Sequence, residues 1–319
     1  MPILDMPIEE LLKYQGRNPR PADFDEFWDK SLEEMRAIDP KADFKPFPWS
    51  CKIADAYELT FTSTKGARIY AKFLKPKNIE GKVPAVLTFH GLSGSSWAWT
   101  ELIKFAAQGF VVASLDTRGQ GGYSQDAGSK YGTSFTTPFM RGLDGDPSEL
   151  LMRDCFLDTA MLARIVMGLD YVDETRVGVT GGSQGGALSV ACAALVPEIK
   201  LCAPTHPYLC DYKRVWEMDL DKDAYDGLRY YFRHFDPRHE REDEIFTKLG
   251  YIDLQFPAPR IKAKFQLATG LMDNICPPST QFAMYNKLTC EKNYILYPDY
   301  WHEGLKGQDL IDFEFLSTL

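Results

Sequence analysis

Residues 176–195 read RVGVTGGSQGGALSVACAAL: an apolar, β-branched run, a corner with Ser183 and Gln184 between two glycine pairs, then a stretch of small residues. Strand, tight turn and helix in that order are the context that gives a G-x-S-x-G pattern chemical meaning. Glycines at 181, 182, 185 and 186 permit a strained turn where bulkier side chains would strike the neighbouring strand and helix. Such a turn lifts the Ser183 hydroxyl above a sheet and aims the start of a helix at it, so Ser183 reads as a nucleophile. The competing reading is a glycine corner that merely lets a helix pack closely.

The surrounding chain has the pattern that this turn requires. Near-continuous apolar runs at VPAVLTFHG (83–91), FVVASLDTRG (110–119), RVGVT (176–180) and KFQLATGLMD (264–273) are typical of strands buried on both faces. NYILYPDYWHEG (293–304) adds a late strand and a loop. Between these runs ELLMRDCFLDTAMLARIVMGL (149–169) has helical periodicity. Strands alternating with helices imply an α/β class fold, a mostly parallel sheet covered on both faces, and the nucleophile turn makes it the α/β-hydrolase fold. YELTFTS and RIYAKFLKP alternate instead, as half-buried strands do.

Ahead of the strands, PADFDEFWDKSLEEM (21–35) places Phe24, Phe27, Trp28, Leu32 and Met35 at helical spacing, with Asp23 and Glu26 spaced as a capping box. Residues 1–40 are therefore expected to form an N-terminal helical extension. Residues 208–250 are charged and aromatic without a buried-strand run, and are expected to form a helical insertion over the C-terminal edge of the sheet, where ligands bind in such folds. With 319 residues, 45% of them hydrophobic, a single elaborated domain over 1–319 is expected.

The net charge of -9, with no dense block of Lys and Arg, argues against a nucleic-acid or anionic-membrane surface and for a small-molecule partner. The opening MPILDMPIEELLKY lacks the basic and apolar regions of a secretory signal, and no apolar run is long enough to span a bilayer. Seven cysteines without a C-x-x-C pair, mostly inside apolar segments, read as reduced thiols of a cytoplasmic protein, not as a disulfide framework or a zinc site.

A serine hydroxyl needs a base, and the base needs an acid to orient it, in the chain order Ser, Asp/Glu, His for this fold. Of five histidines, His90 precedes the nucleophile, His206 follows it too closely, and His234 and His239 lie in the charged stretch. His302, in the loop after a late strand, is the expected base. Asp273, at the end of an apolar run, is the expected acid; Asp299 competes but sits on the same loop as His302, and a helix-cap role for Asp273 is the plain alternative. The oxyanion donors are expected to be the backbone N–H groups of Leu92 and Gln184, with His90 a structural loop residue. DTRGQGG (116–122) lacks the Lys-Ser/Thr of a phosphate-binding loop and reads as an Arg-anchored loop at the rim of the site. Arg118, Gln120, Trp97 and Pro207 are expected to line the pocket or its rim. This chemistry requires no metal and no organic cofactor.

RGQGG (118–122), GGSQGG (181–186) and His302-Glu303 together resemble the signature set of carbohydrate esterase family seven, the acetyl xylan esterases and cephalosporin C deacetylases. PRPADFDEFWD, RGLDGDPSELLMRDCFLDTAMLARIVM and APRIKAKFQLATGLMDNICPPST extend the resemblance over nearly the whole chain. It implies an α/β hydrolase that removes acetyl groups from small acetylated sugars, xylooligosaccharides and cephalosporins, with Ser183, Asp273 and His302 as triad and Leu92 and Gln184 as oxyanion donors. It also implies a homo-oligomer, a ring-like hexamer whose active sites face an inner cavity. The chain departs from the family at Leu92, where a tyrosine is usual, and at Trp97-Ala98-Trp99, where Gly-Asp-Trp is usual. Those changes alter a pocket wall but spare a backbone donor. Two other readings stand beside this one: a serine hydrolase acting on other acyl esters or peptides, and a non-catalytic binding protein of the same fold.

Overall fold

Side chains alternate along a strand, so the buried strands must feed two different layers, and they do. In a computed structural model that describes residues 4–127 and 137–319, Ala85, Leu87 and Phe89 of one central strand join a large apolar cluster while Val86 between them joins a second, smaller one. The sheet lies between these two clusters. Residues 1–3 of the expected N-terminal extension lie outside the described residues.

Nine strands form the sheet: β1 (Asp43–Pro46), β2 (Ala54–Thr62), β3 (Arg68–Pro76), β4 (Val83–Phe89), β5 (Val111–Leu115), β6 (Val172–Gly182), β7 (Leu201–Thr205), β8 (Lys264–Gly270) and β9 (Lys292–Tyr297). Their spatial order is β1-β2-β3-β5-β4-β6-β7-β8-β9. The pairs from β1 to β5 across β2 and β3 are antiparallel, and every pair from β5 to β9 is parallel. The parallel strands therefore end together on one side, where Ser183, His206 and the loop of His90 emerge.

Ten helices accompany the strands among the described residues: α1 (Ile8–Leu11), α2 (Phe24–Ala37), α3 (Trp99–Ala106), α4 (Leu151–Met167), α5 (Gln184–Leu195), α6 (Tyr212–Glu217), α7 (Asp226–Phe235), α8 (Glu242–Leu249), α9 (Pro278–Tyr285) and α10 (Gln308–Leu316). α2 packs on α4, and α4 and α5 pack together over β6. α3 and α10 serve the other face, with Phe105 and Phe313 meeting at 5.5 Å. This is the α/β-hydrolase arrangement: a mostly parallel sheet with helices on both faces.

Trp28, fully buried, and Phe24 anchor α2, each side chain contributing roughly 1.5–3 kcal/mol on burial. The expected capping box is not made. Asp23 stands at the N-cap of α2, but its carboxylate accepts from the Tyr251 hydroxyl at 2.5 Å instead of from the helix amides. Competition from a tertiary donor, not a failure of the helix, explains the difference. Residues 208–250 hold α6, α7 and α8, whose Tyr208, Tyr212, Tyr225 and Phe232 are buried.

Candidate active site

The turn between β6 and α5 is strained at Ser183, whose φ of 56° and ψ of -119° are sparsely populated by L-residues. Its neighbours hold it there. Ser183 N–H donates to Thr205 O at 3.0 Å, and Ser183 O accepts from Ala187 and Tyr208 N–H at 2.9 and 3.1 Å. The glycines leave room for this: a Cβ on Gly181 or Gly185 would stand 2.5 or 2.1 Å from Phe89 O.

From that turn the Ser183 hydroxyl donates to His302 Nε2 at 2.9 Å, and His302 Nδ1–H donates to Asp273 Oδ2 at 2.8 Å. The acceptor at Asp273 places the ring proton on Nδ1 and leaves Nε2 free to accept. Asp273 is fully buried, and its other oxygen accepts from the Ile275 and Cys276 amides at 2.9 and 2.8 Å. The turn-capping role and the orienting role are thus filled by the two oxygens of one carboxylate. Asp299 is exposed and His234 and His239 are also exposed, so none of them joins the group.

The loop after β4 faces the nucleophile turn, since a Cβ on Gly91 would lie 3.9 Å from Gly182 O. His90 is its structural pin: Nδ1–H donates to Gly91 O at 2.7 Å and Nε2 accepts from Thr117 N–H at 2.9 Å. Leu92 N–H has no acceptor among the described residues, and Gln184 N–H opens α5, where no preceding turn supplies one. Both candidate donors are therefore free to meet a ligand.

The four expected rim residues separate into two kinds. Trp97 lines a cavity of about 500 Å³ that also touches Ser183, His206 and His302. Gln120 bridges the loop to the turn: its amide exchanges hydrogen bonds of 2.8 and 3.0 Å with that of Gln184, and its oxygen also accepts from Ser93 N–H at 2.8 Å. Arg118 is not at the rim. It is 1% exposed and grips Asp158 with two hydrogen bonds of 2.5 and 2.7 Å, because a guanidinium without water must find carboxylates. Pro207 is likewise buried, with its Cα 3.1 Å from where a Cβ on Gly186 would stand. It backs the turn and is not among the residues that line this cavity.

His206, set aside for its nearness to Ser183 in the chain, lies against the base, its ring centroid 4.5 Å from that of His302. It is 7% exposed and its Nδ1 lacks a partner. Burial, then the neighbouring His302, pushes it down to about 4, so it is neutral at physiological pH. His206, Asp273 and His302 bring one donor atom each within 4.8 Å of one another, the one such group among the described residues. The hydrogen bonds of Asp273 and His302 already occupy that geometry, so a metal there would have to displace the triad contacts. Five of the seven cysteines are buried, and burial pushes the Cys192 thiol up to about 12.

A family model described as acetyl xylan esterase (AXE1) matches residues 1–319. Acetyl xylan esterase 1 from Thermoanaerobacterium sp. JW/SL YS485 is 50% identical, with a TM-score of 0.97 over 99% of both chains. An acetyl xylan esterase from Paenibacillus sp. R4 is 32% identical, with a TM-score of 0.93 over 98% of this chain and 99% of that one. The acetyl esterase Axe7A of Xylanibacter ruminicola is 29% identical over 309 residues, which are 92% of this chain. The match spans 66% of the length of Axe7A.

Proposed function

Because the chain belongs to the acetyl xylan esterase family, we propose that it is a serine esterase that removes acetyl groups from small acetylated carbohydrates through an acetyl-Ser183 intermediate. The observation that carries this reading is the unbroken hydrogen-bond relay from Ser183 through His302 to the buried Asp273. In the first half-reaction Ser183 Oγ attacks the ester carbonyl while His302 Nε2 takes its proton, and Asp273 stabilises the imidazolium. The Leu92 and Gln184 amides receive the oxyanion, each worth on the order of a hundred- to a thousandfold in rate. Collapse breaks the ester C–O bond, and His302 returns the proton to the departing sugar hydroxyl. Water then attacks the acetyl-enzyme with His302 as base, releasing acetate and restoring Ser183.

No described helix is long and apolar enough to cross a membrane. A cytoplasmic location, supported by the buried free thiols, and a hexameric assembly, supported by the family resemblance, belong to the same proposal. The test is hydrolysis of 4-nitrophenyl acetate beside the octanoate ester by the wild type and Ser183→Ala. Strong acetate turnover, weak octanoate turnover and loss of both in the variant are expected. Activity that survives in Ser183→Ala would remove the nucleophile, and equal turnover of both esters would remove the acetyl preference.

A further inference from the structure

The cavity beside the triad is not needed to hold an acetyl group, which is small. At about 500 Å³ it falls within the roughly 300–1,000 Å³ typical of small-molecule sites. It runs from Ser183 and His302 into the cleft between α3 and α10, and it touches neither Leu92 nor Gln184, the candidate oxyanion donors. A departing alcohol must face His302 Nε2 to collect its proton, whereas the carbonyl oxygen must face the oxyanion donors. Because the cavity borders His302, which protonates the alcohol, and is far larger than an acetyl group needs, it is assigned to the alcohol half of the ester.

Its walls combine two chemistries. Trp97 and Phe313 supply apolar ring faces, and Gln308, Asp309 and Asp312 supply polar groups from one face of α10. Asp312 is the unusual member. Its Oδ1 accepts from Gln308 Nε2 at 2.8 Å, but its other contacts, from Gln266 Nε2 and Thr205 Oγ, are long at 3.3 and 3.4 Å. A carboxylate offers about four acceptor sites, so at least one is unused here and two are weakly used. Burial lifts Asp312 to about 6, the response of a carboxylate short of donors, and hydroxyl groups entering the cavity would supply them.

We propose that this cavity is the leaving-group subsite for a neutral polyhydroxylated ring, with Asp312 and Gln308 taking its hydroxyls and Trp97 covering its apolar face. This rests on the acetylesterase reading and narrows it: specificity resides in the alcohol half of the ester. Three carboxylates, Glu303, Asp309 and Asp312, line the cavity against the single ammonium of Lys104, so the subsite disfavours an alcohol that itself carries negative charge.

The experiment compares kcat/KM for xylopyranose tetra-acetate with that for 4-nitrophenyl acetate, in the wild type, Asp312→Asn and Trp97→Ala. Losing a charged acceptor for sugar hydroxyls should lower the ratio of sugar ester to aryl ester roughly tenfold or more, chiefly through KM on the sugar ester. Trp97→Ala should lower the ratio in the same direction and, as a loop substitution, gives a second reading should Asp312→Asn fold poorly. A ratio within twofold of wild type in both variants overturns the subsite, and so does an equal fall in both activities, which would mark a structural role. If instead Ser183→Ala retains wild-type hydrolysis of both esters, the esterase reading itself fails and this inference goes with it.

Discussion

Gln120 and Gln184 face each other as a reciprocal amide pair, each side chain donating to the other at 2.8 and 3.0 Å. The pair spans the gap between the two candidate oxyanion donors. Gln120 also holds Ser93 N–H, one residue beyond Leu92, while Gln184 carries the second donor on its own backbone. Gly121 N–H adds a bond to Gly94 O at 2.9 Å, so the segment after β5 buttresses the loop at two points. Gln120 and Gly121 of the RGQGG motif thus act through the loop.

Gln120→Leu is accordingly expected to lower kcat on 4-nitrophenyl acetate by about ten- to a hundredfold, a fraction of what deleting an oxyanion donor costs, with KM little changed. Gln120→Glu keeps the acceptor for Ser93 and Gln184 Nε2 but loses the donor, and should fall between wild type and Gln120→Leu. A kcat for Gln120→Leu within twofold of wild type, at unchanged melting temperature, would refute this positioning role.

Two glycines of the same turn should respond differently to alanine. A methyl on Gly185 would stand 2.1 Å from Phe89 O, backbone of the central strand β4 that has nowhere to move. Gly185→Ala should cost roughly 3 kcal/mol or more, lowering Tm by about 6 °C or more. A methyl on Gly182 would first meet His206 Nε2 at an ordinary 3.8 Å. Gly182→Ala should stay within about 1 kcal/mol of wild type. Thermal melts of the two variants side by side decide the matter, and equal losses would contradict it.

Arg118 offers a test inside the core. Its guanidinium lies against Asp158 of α4, with Thr64 Oγ accepting at 2.7 Å and Asp154 3.8 Å away. Removing one member of such a group strands a buried charge, so Arg118→Met should cost about 3–5 kcal/mol. The double variant Arg118→Met/Asp158→Leu should recover at least half of that, because both desolvated partners go together. Denaturant melts measure both; a double variant no more stable than the single would show that packing, not the stranded carboxylate, sets the cost.

The same residue shows where reading the chain falls short. A charged side chain after a buried strand and before a glycine run resembles a rim residue, but Asp154 and Asp158, four apart on a mostly apolar helix, were waiting for it. That carboxylate pair was a visible signal. The parallel strands β4, β5 and β8 were legible because sheets covered on both faces select unbroken apolar runs. Strand β7 was hidden by Pro204, a residue that argues against a central strand since it gives no N–H to the ladder. Missing β7 meant missing His206. β6 and β7 are neighbours with Gly182 opposite Thr205, so Ser183 and His206 leave the sheet side by side although 23 residues separate them in the chain. The positions of Ser183, Asp273 and His302 were readable because each follows a strand whose end the fold brings to one edge.

His206 also gives the clearest dependence on pH. Its ordinary value is 6.5 and burial, reinforced by His302, lowers it to about 4 in the folded protein. Between those values the unfolded chain binds a proton that the native state refuses, so stability must rise with pH from 4 to 6.5 and fall as pH drops through that window. A shift of that size corresponds to about 3 kcal/mol. In the variant His206→Gln this part of the acid destabilisation should vanish, so the wild type loses more stability than the variant between pH 7 and pH 4.5 in urea melts. Carbon-13 labelling of the histidine rings should show the His206 resonance still unprotonated at pH 5.5. The low value suits the proposed mechanism: a charged imidazole whose ring lies 4.5 Å from that of His302 would oppose the imidazolium that acylation of Ser183 would create. A His206 resonance that titrates near 6.5, or identical acid losses in variant and wild type, would show that the buried ring is hydrated and free to charge beside the base.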